Sequence, residues 1–365
     1  MPAQPPVALP PLPTRRTSKE RIPINGLLGE DLKPYIPDEG LLAAANAAIA
    51  LDMPLLLTGE PGCGKTDFAH AIANYLDRRR ESKQGIRRCH VRSDTRARDL
   101  LYQYDALRRF GDAQHGDPNT REDAKDPRHY IELQPLGLAL IAPIRQVVLI
   151  DEIDKAPRDL PNDLLRELER GVFEIPEIPA SPAVKLVQTK VPEWGAAQRP
   201  IERQMAPPKP EKDAPEHRPI IVITSNVERQ LPDAFLRRCV FYHIGFPDDK
   251  RLTLILRERH KDRTQHAAHS EVPNLPGDAP YLDYVVLFKA LRDQPGLHKK
   301  PSTAELLAWV DVLGETYEPE DLRARMKVLA ADIDPTAGKL KTHKWSDVPA
   351  LSCLIKLRED LVTLG

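Results

Sequence analysis

The stretch Leu55-Leu56-Leu57-Thr58-Gly59-Glu60-Pro61-Gly62-Cys63-Gly64-Lys65-Thr66 constrains this chain more than any other. Residues 59–66 follow the pattern G-x-x-x-x-G-K-[ST], and an apolar run ends just before it. The run reads as a buried strand, with Pro54 at the first position, where a strand tolerates proline. Beyond the glycines, Phe68, Ile72, Tyr75 and Leu76 recur on one helical face. Strand, glycine-rich turn and helix in that order make a phosphate cradle. The glycines let successive backbone N–H groups turn inward, and the helix N-terminus adds positive potential. On this reading Gly59, Glu60, Pro61, Gly62, Cys63, Gly64 and Asp67 form or flank the cradle. Lys65 reaches the β- and γ-phosphates of a nucleoside triphosphate, and the Thr66 hydroxyl ligates Mg²⁺.

A second anchor follows at Val147-Val148-Leu149-Ile150-Asp151-Glu152. Four apolar residues read as a buried parallel strand, and two carboxylates sit at its C-terminal end, where open α/β sheets bind ligands. Asp151 is expected to hold Mg²⁺ through water, and Glu152 to polarise an attacking water as general base. Ile220 to Asn226 reads as a further buried strand whose polar end would face a γ-phosphate. Val240 to Ile244 is another strand, preceded by a short helix within Leu231–Arg238. The expected fold class is therefore α/β, a P-loop parallel sheet flanked by helices. Beyond Pro247 the strand signal fades, and residues 249–262, 281–292, 303–314 and 351–363 carry helical spacing. They predict a smaller all-α lid at 249–365, after a nucleotide-binding domain at 35–248 and a proline-rich leader at 1–34.

Composition narrows the classes of partner. Fifty-three basic residues against 54 acidic ones leave a net charge of −1, which gives no support to nucleic-acid binding. No apolar run approaches the roughly 18 residues of a membrane span, and the first 20 residues lack the apolar core of a secretory signal. Cys63, Cys89, Cys239 and Cys353 are scattered, which fits a reducing cytosol and predicts a cytoplasmic protein.

Several stretches read two ways. The proline-rich start is a flexible leader or a partner-binding segment. The run of arginines from Arg78 to Arg98 is a solvated helix end or an anion-binding, inter-subunit face. Residues 99–110 carry helical spacing, with Tyr102, Tyr104 and Phe110 suited to core packing or to a client contact. Pro161 to Arg170 reads as a helix with Leu164, Leu165 and Leu168 on one face. His260, His266 and His269 read as solvated surface rather than a metal site, and Trp309 as helical core.

These motifs together resemble the AAA+ ATPases, and within them the MoxR-like group, over roughly residues 36–315. Gly59–Thr66 is similar to Walker A and Val147–Glu152 to Walker B, with Asp151-Glu152-Ile153-Asp154-Lys155-Ala156 highly typical. Ile221–Asn226 looks like the sensor 1 strand, which implies that Asn226 lies near the γ-phosphate and the water. Leu231–Arg238 looks like the segment whose arginine enters the neighbouring subunit's site; Arg238 matches best, with Arg237 the alternative. Residues 99–140 correspond to the helix-2 insert of this group, and 171–218 to its pre-sensor insertion. Many relatives carry a sensor 2 arginine where the lid helix opens near Pro301; here Lys299 or Lys300 is the candidate, and Lys300 the one assigned to the nucleotide. The resemblance implies ATP and Mg²⁺ as cofactors, a ring that is usually a hexamer, and chaperone-like remodelling. It also implies a protein partner, often one with a von Willebrand factor A-type domain. The leading expectation is an ATP-driven remodelling motor. A nucleotide-gated switch or scaffold with slow hydrolysis shares every motif, and a nucleic-acid-directed motor is disfavoured by the net charge.

Overall fold

A computed structural model of the chain describes residues 35–80, 84–179, 202–205, 218–226, 229–266 and 278–364. The leader at 1–34, His269 and most of the predicted insertion at 171–218 lie outside the described residues. Five strands make the central sheet: β1 (Leu55–Gly59), β2 (Ile86–His90), β3 (Val147–Asp151), β4 (Ile220–Ser225) and β5 (Val240–Ile244). All pairings are parallel, in the order β2-β3-β4-β1-β5. Every residue of β1 and β4 is buried, which is why these strands read as unbroken apolar runs rather than alternating ones. Leu55, Leu57, Val147, Leu149, Ile220 and Val222 face the helices α1 (Glu39–Leu51) and α2 (Lys65–Arg80). Leu56, Val148, Ile150, Ile221 and Ile223 pack on the other side against Leu136, Ile141, Leu160, Leu164 and Phe235.

Residues 99–110 do not form one helix. The chain makes a helix at Ala97–Leu101, a strand at Tyr102–Tyr104 paired antiparallel with Ile131–Leu133, and a second helix at Ala106–His115 capped by Asp105. The cause is tertiary. Tyr102 is 1% exposed, stacks on Phe173 at 6.4 Å, and donates its hydroxyl to Glu177 at 2.8 Å. A helix through this point would carry that ring out of the core. Phe110, on the second helix, is 63% exposed. The stretch 161–170 likewise bends at Leu164 into helices Leu160–Asp163 and Leu165–Arg170.

The helical part comprises α3 (Asp249–His266), α4 (Asp278–Arg292), α5 (Thr303–Thr316), α6 (Pro319–Ala331) and α7 (Arg358–Leu364). Its core gathers Tyr284, Phe288, Trp309, Leu313 and Met326. Trp309 is fully buried and donates Nε1–H to the Pro349 carbonyl at 2.8 Å. The spacing did not predict α6, whose charged sequence buries Leu322, Met326 and Leu329 along one stripe. The single helix predicted over 351–363 is instead a 3₁₀ turn at Leu351–Cys353 followed by α7. His260 is not solvated surface: it is 7% exposed and stacks on Tyr281 at 6.0 Å, because that side of α3 packs on α4. No helix among the described residues is long and apolar enough to cross a membrane.

Candidate functional site

β4 lies between β1 and β3, so the parallel sheet brings Gly59, Asp151 and Ser225 to the same carboxyl edge. The P-loop leaves β1 there and turns directly into α2, whose first residue is Lys65. Gly59, Gly62 and Gly64 all take positive φ (149°, 76° and 91°), which side-chain-bearing residues rarely adopt. Lys65 is 7% exposed, and its ammonium donates to the carbonyls of Gly59 at 2.9 Å and Glu60 at 3.0 Å. Burial pushes the Cys63 thiol up against the pull of Lys65, so the loop carries a protonated thiol rather than a thiolate. Tyr35 closes the loop from outside, tilted on Phe68 at 5.3 Å and lying over Gly64. Pro61 and Asp67 are exposed at its rim.

Asp151 is the hub. Its Oδ1 accepts from the Thr224 hydroxyl at 2.6 Å and the Thr66 hydroxyl at 3.2 Å, while Oδ2 accepts from Arg88 at 2.5 Å. Burial works to raise its carboxyl, but the hydrogen bonds from Thr224, Arg88 and Thr66 outweigh it and hold the group below the usual carboxylate range. Asp151 is thus an anion at neutral pH. Thr66 and Asp151 are hard oxygen donors meeting at the N-terminus of α2, a donor set that suits Mg²⁺. The ion would neutralise phosphate charge there.

Glu152 stands next to this hub in left-handed backbone geometry (φ 57°, ψ 52°), the kind of local strain that clusters at functional positions. Its N–H donates to Thr224 Oγ1 at 2.9 Å. Its carboxylate accepts from Asn226 Nδ2 at 3.3 Å and from Lys155 Nζ at 2.6 Å. Asn226 is in turn anchored through its own N–H to the buried Asp154 at 3.1 Å. Thr66, Asp151, Glu152 and Asn226 therefore share one hydrogen-bonded network. Thr224, Asp154, Lys155 and Arg88 belong to it too; the sequence placed them in motifs or runs but assigned none of them a role at this site. The polar pair Thr224-Ser225 inside a fully buried strand was the signal that could have found Thr224.

The helical part also meets the P-loop. Ala304 N–H at the start of α5 donates to the Gly62 carbonyl at 3.2 Å. Arg292, at the end of α4, donates to Glu60 Oε2 at 2.5 Å and to the Pro301 carbonyl at 2.6 Å, over the Phe246 ring at 3.9 Å. Lys299 pairs with Glu305 at 3.8 Å. Lys300 is exposed, and no hydrogen bond or ion pair joins it to the P-loop. The cation that reaches this loop from the helical part is Arg292, which sequence reasoning missed.

Arg237 and Arg238 are not brought to this cluster. They precede Val240, which pairs with Leu55 at the opposite end of β1. A five-residue strand separates the two ends by roughly 15 Å, more than an arginine side chain spans. Arg238 pairs with Glu169 and donates to the Ala234 carbonyl at 3.1 Å. An open cavity of about 180 Å³ adjoins both arginines, with Pro54, Leu168 and Phe235 among its walls.

Residues 54–186 match the family described as the AAA domain, dynein-related subfamily. No curated protein matches the sequence. Two single-substitution forms of RuvB from Thermotoga maritima are similar in structure, each at 17% identity and a TM-score of 0.40. The alignments cover 87% and 86% of this chain and 76% of RuvB. PCH-2 from C. elegans is similar at 16% identity and a TM-score of 0.39, over 79% of this chain and 65% of that one. The P-loop segment, the family match and the strand order define an AAA+ P-loop fold, a class of nucleotide-hydrolysing ATPase domains that commonly work in rings.

Proposed function

We propose that this chain is an ATPase of the MoxR-like AAA+ type that works as a ring in the cytoplasm and remodels a protein partner. The observation that carries the reading is the division of its groups between two ends of one sheet. Phosphate-binding, metal-binding and water-positioning side chains meet at the carboxyl edge, and the paired arginines stand exposed at the amino edge. A site completed by a second copy explains both halves. Lys65 and the loop N–H groups hold the phosphates, and Thr66 with Asp151 would hold Mg²⁺. Asn226 orients Glu152 toward water, and Arg238 of the next copy meets the charge that develops on the transferred phosphoryl group. The resemblance to the MoxR-like group supports a protein partner that carries a von Willebrand factor A-type domain.

One contact favours a slower, switch-like variant of this reading. Lys155 Nζ holds Glu152 Oε2 at 2.6 Å, so the lysine must move aside before that oxygen can meet a water.

Mixing two inactive variants tests the shared site. Arg238→Ala should bind ATP and associate, but hydrolyse on the order of 10³-fold more slowly. Lys65→Ala should fail to bind. In mixed assemblies some interfaces regain an intact P-loop facing an intact arginine, so turnover returns in part. A mixture that demonstrably co-assembles yet stays as inactive as its parents overturns the reading.

A further inference from the structure

Nothing in phosphate binding or water activation requires Arg88, yet it makes the shortest contact to Asp151. Arg88 lies on β2 at the edge of the sheet, and its guanidinium crosses to Asp151 Oδ2 at 2.5 Å. The other oxygen of the same carboxylate is taken by Thr224 and Thr66. Asp151 therefore reaches a bound cation only by sharing or surrendering the oxygen that Arg88 holds. The two ends of the pair differ in freedom: the arginine side chain is 43% exposed and the aspartate 13%. The aspartate is fixed by its two hydroxyl partners, while the arginine has solvent to turn into. Arginine keeps its charge at any physiological pH, so it leaves only by moving.

We propose that Arg88 is a displaceable counter-ion that competes with Mg²⁺ for Asp151. Alone, the metal meets a carboxylate already neutralised by a guanidinium. Together with a triphosphate, the added negative charge at Lys65 and Thr66 favours the divalent cation, and Arg88 yields. The site then takes up metal with nucleotide rather than before it. A plain structural role, pinning edge strand β2 to β3, would affect melting and leave metal dependence alone. The inference rests on Thr66 and Asp151 being the Mg²⁺-holding pair.

The test is the affinity of the full chain for a fluorescent ATP analogue across a Mg²⁺ titration, with EDTA as the zero point. Arg88→Gln should lower the half-saturating Mg²⁺ concentration by about fivefold, the upper scale for so exposed an ion pair, and leave affinity in EDTA unchanged. Arg88→Lys keeps the charge but loses the fork, so its shift should run the same way and be smaller; it serves if the glutamine variant does not fold. An unchanged or higher Mg²⁺ requirement in a folded variant overturns the proposal. Weaker binding in EDTA also overturns it, because Arg88 would then be a phosphate ligand. Wild-type binding that ignores Mg²⁺ altogether overturns the Thr66–Asp151 assignment and the proposal with it, an outcome visible before any variant is made.

Discussion

Substituting Gly62 by alanine should pry the helical part from the P-loop, and the structure sets the size of the effect. Gly62 has φ 76°, and a Cβ there would stand 2.4 Å from Ser302 Oγ, 2.9 Å from Ser302 Cβ and 3.2 Å from Ala304 Cβ. Two separate penalties follow. Left-handed backbone costs a residue with a side chain roughly 1–2 kcal/mol. Overpacking adds about 1–3 kcal/mol. The Ser302 hydroxyl can rotate away, but its Cβ belongs to the N-cap of α5 and cannot. The sum, about 2–5 kcal/mol, opposes a junction held by Ala304–Gly62 and Arg292–Glu60. Undocking relieves only the steric share. Gly62→Ala should therefore lower the Tm by roughly 4–20 °C and weaken a fluorescent ATP analogue at least about tenfold. Ser302→Gly in the same chain removes the two closest contacts, leaving Ala304 Cβ at 3.2 Å, and costs only a few tenths of a kcal/mol at an N-cap. The double variant should recover most of the steric share and keep the backbone share. A double variant no better than the single one, or a single variant that melts like wild type, would refute the reasoning.

Three further outcomes are expected. Glu152→Gln keeps the shape that Asn226 grips but loses basicity, so ATP should bind while hydrolysis falls ~10²–10⁴-fold; near-normal turnover would mean that another group activates water. Tyr102→Ala removes a buried aromatic and should cost about 3–5 kcal/mol in a denaturant titration, whereas Phe110→Ala, on an exposed helix, should stay within about 0.5 kcal/mol; equal losses would contradict the two placements. Burial opposes the charge of Asp38, yet hydrogen bonds from Tyr242, the Leu41 N–H and Arg251 outweigh it and lower its carboxyl below the usual range. The unfolded chain then takes up this proton more readily, so the stabilisation is present above about pH 4 and is lost as pH falls through the lowered folded value. Asp38→Asn should flatten the acid limb of a Tm-against-pH curve, and an unchanged slope would count against the network.

The parallel sheet, the P-loop and the acidic strand end were legible because each is a local statement. A strand buried on both faces must be continuously apolar, as in β1, β3 and β4, and glycine positions mark turns that need unusual φ. Asp151, Glu152 and Asn226 could be picked out because polar residues closing such strands have few uses, and Thr66 because it ends the glycine-rich motif. Their partners could not. Which strand neighbours which is set by helix packing on two faces, so the Thr224–Asp151–Arg88 contacts exist only once β2, β3 and β4 lie side by side. The helix predicted over 99–110 failed for the same reason: its periodicity was real, but the pocket beside Phe173 took Tyr102 into a strand.

The cation at the P-loop shows the division most clearly. The resemblance pointed to Lys299 or Lys300, and assigned Lys300, because many relatives carry an arginine where this helix opens. In the fold, the buried Asp360 of α7 accepts from the N–H groups of His298 and Lys299 at 2.8 and 3.1 Å, and Lys299 and Lys300 are left exposed. Arg292 enters instead, meeting Glu60 from 232 positions away. Residue order determined the sheet strands, the P-loop and the chemistry at their ends, since these depend on neighbours along the chain. The tertiary structure alone decided which charges meet, since that depends on how separate elements pack.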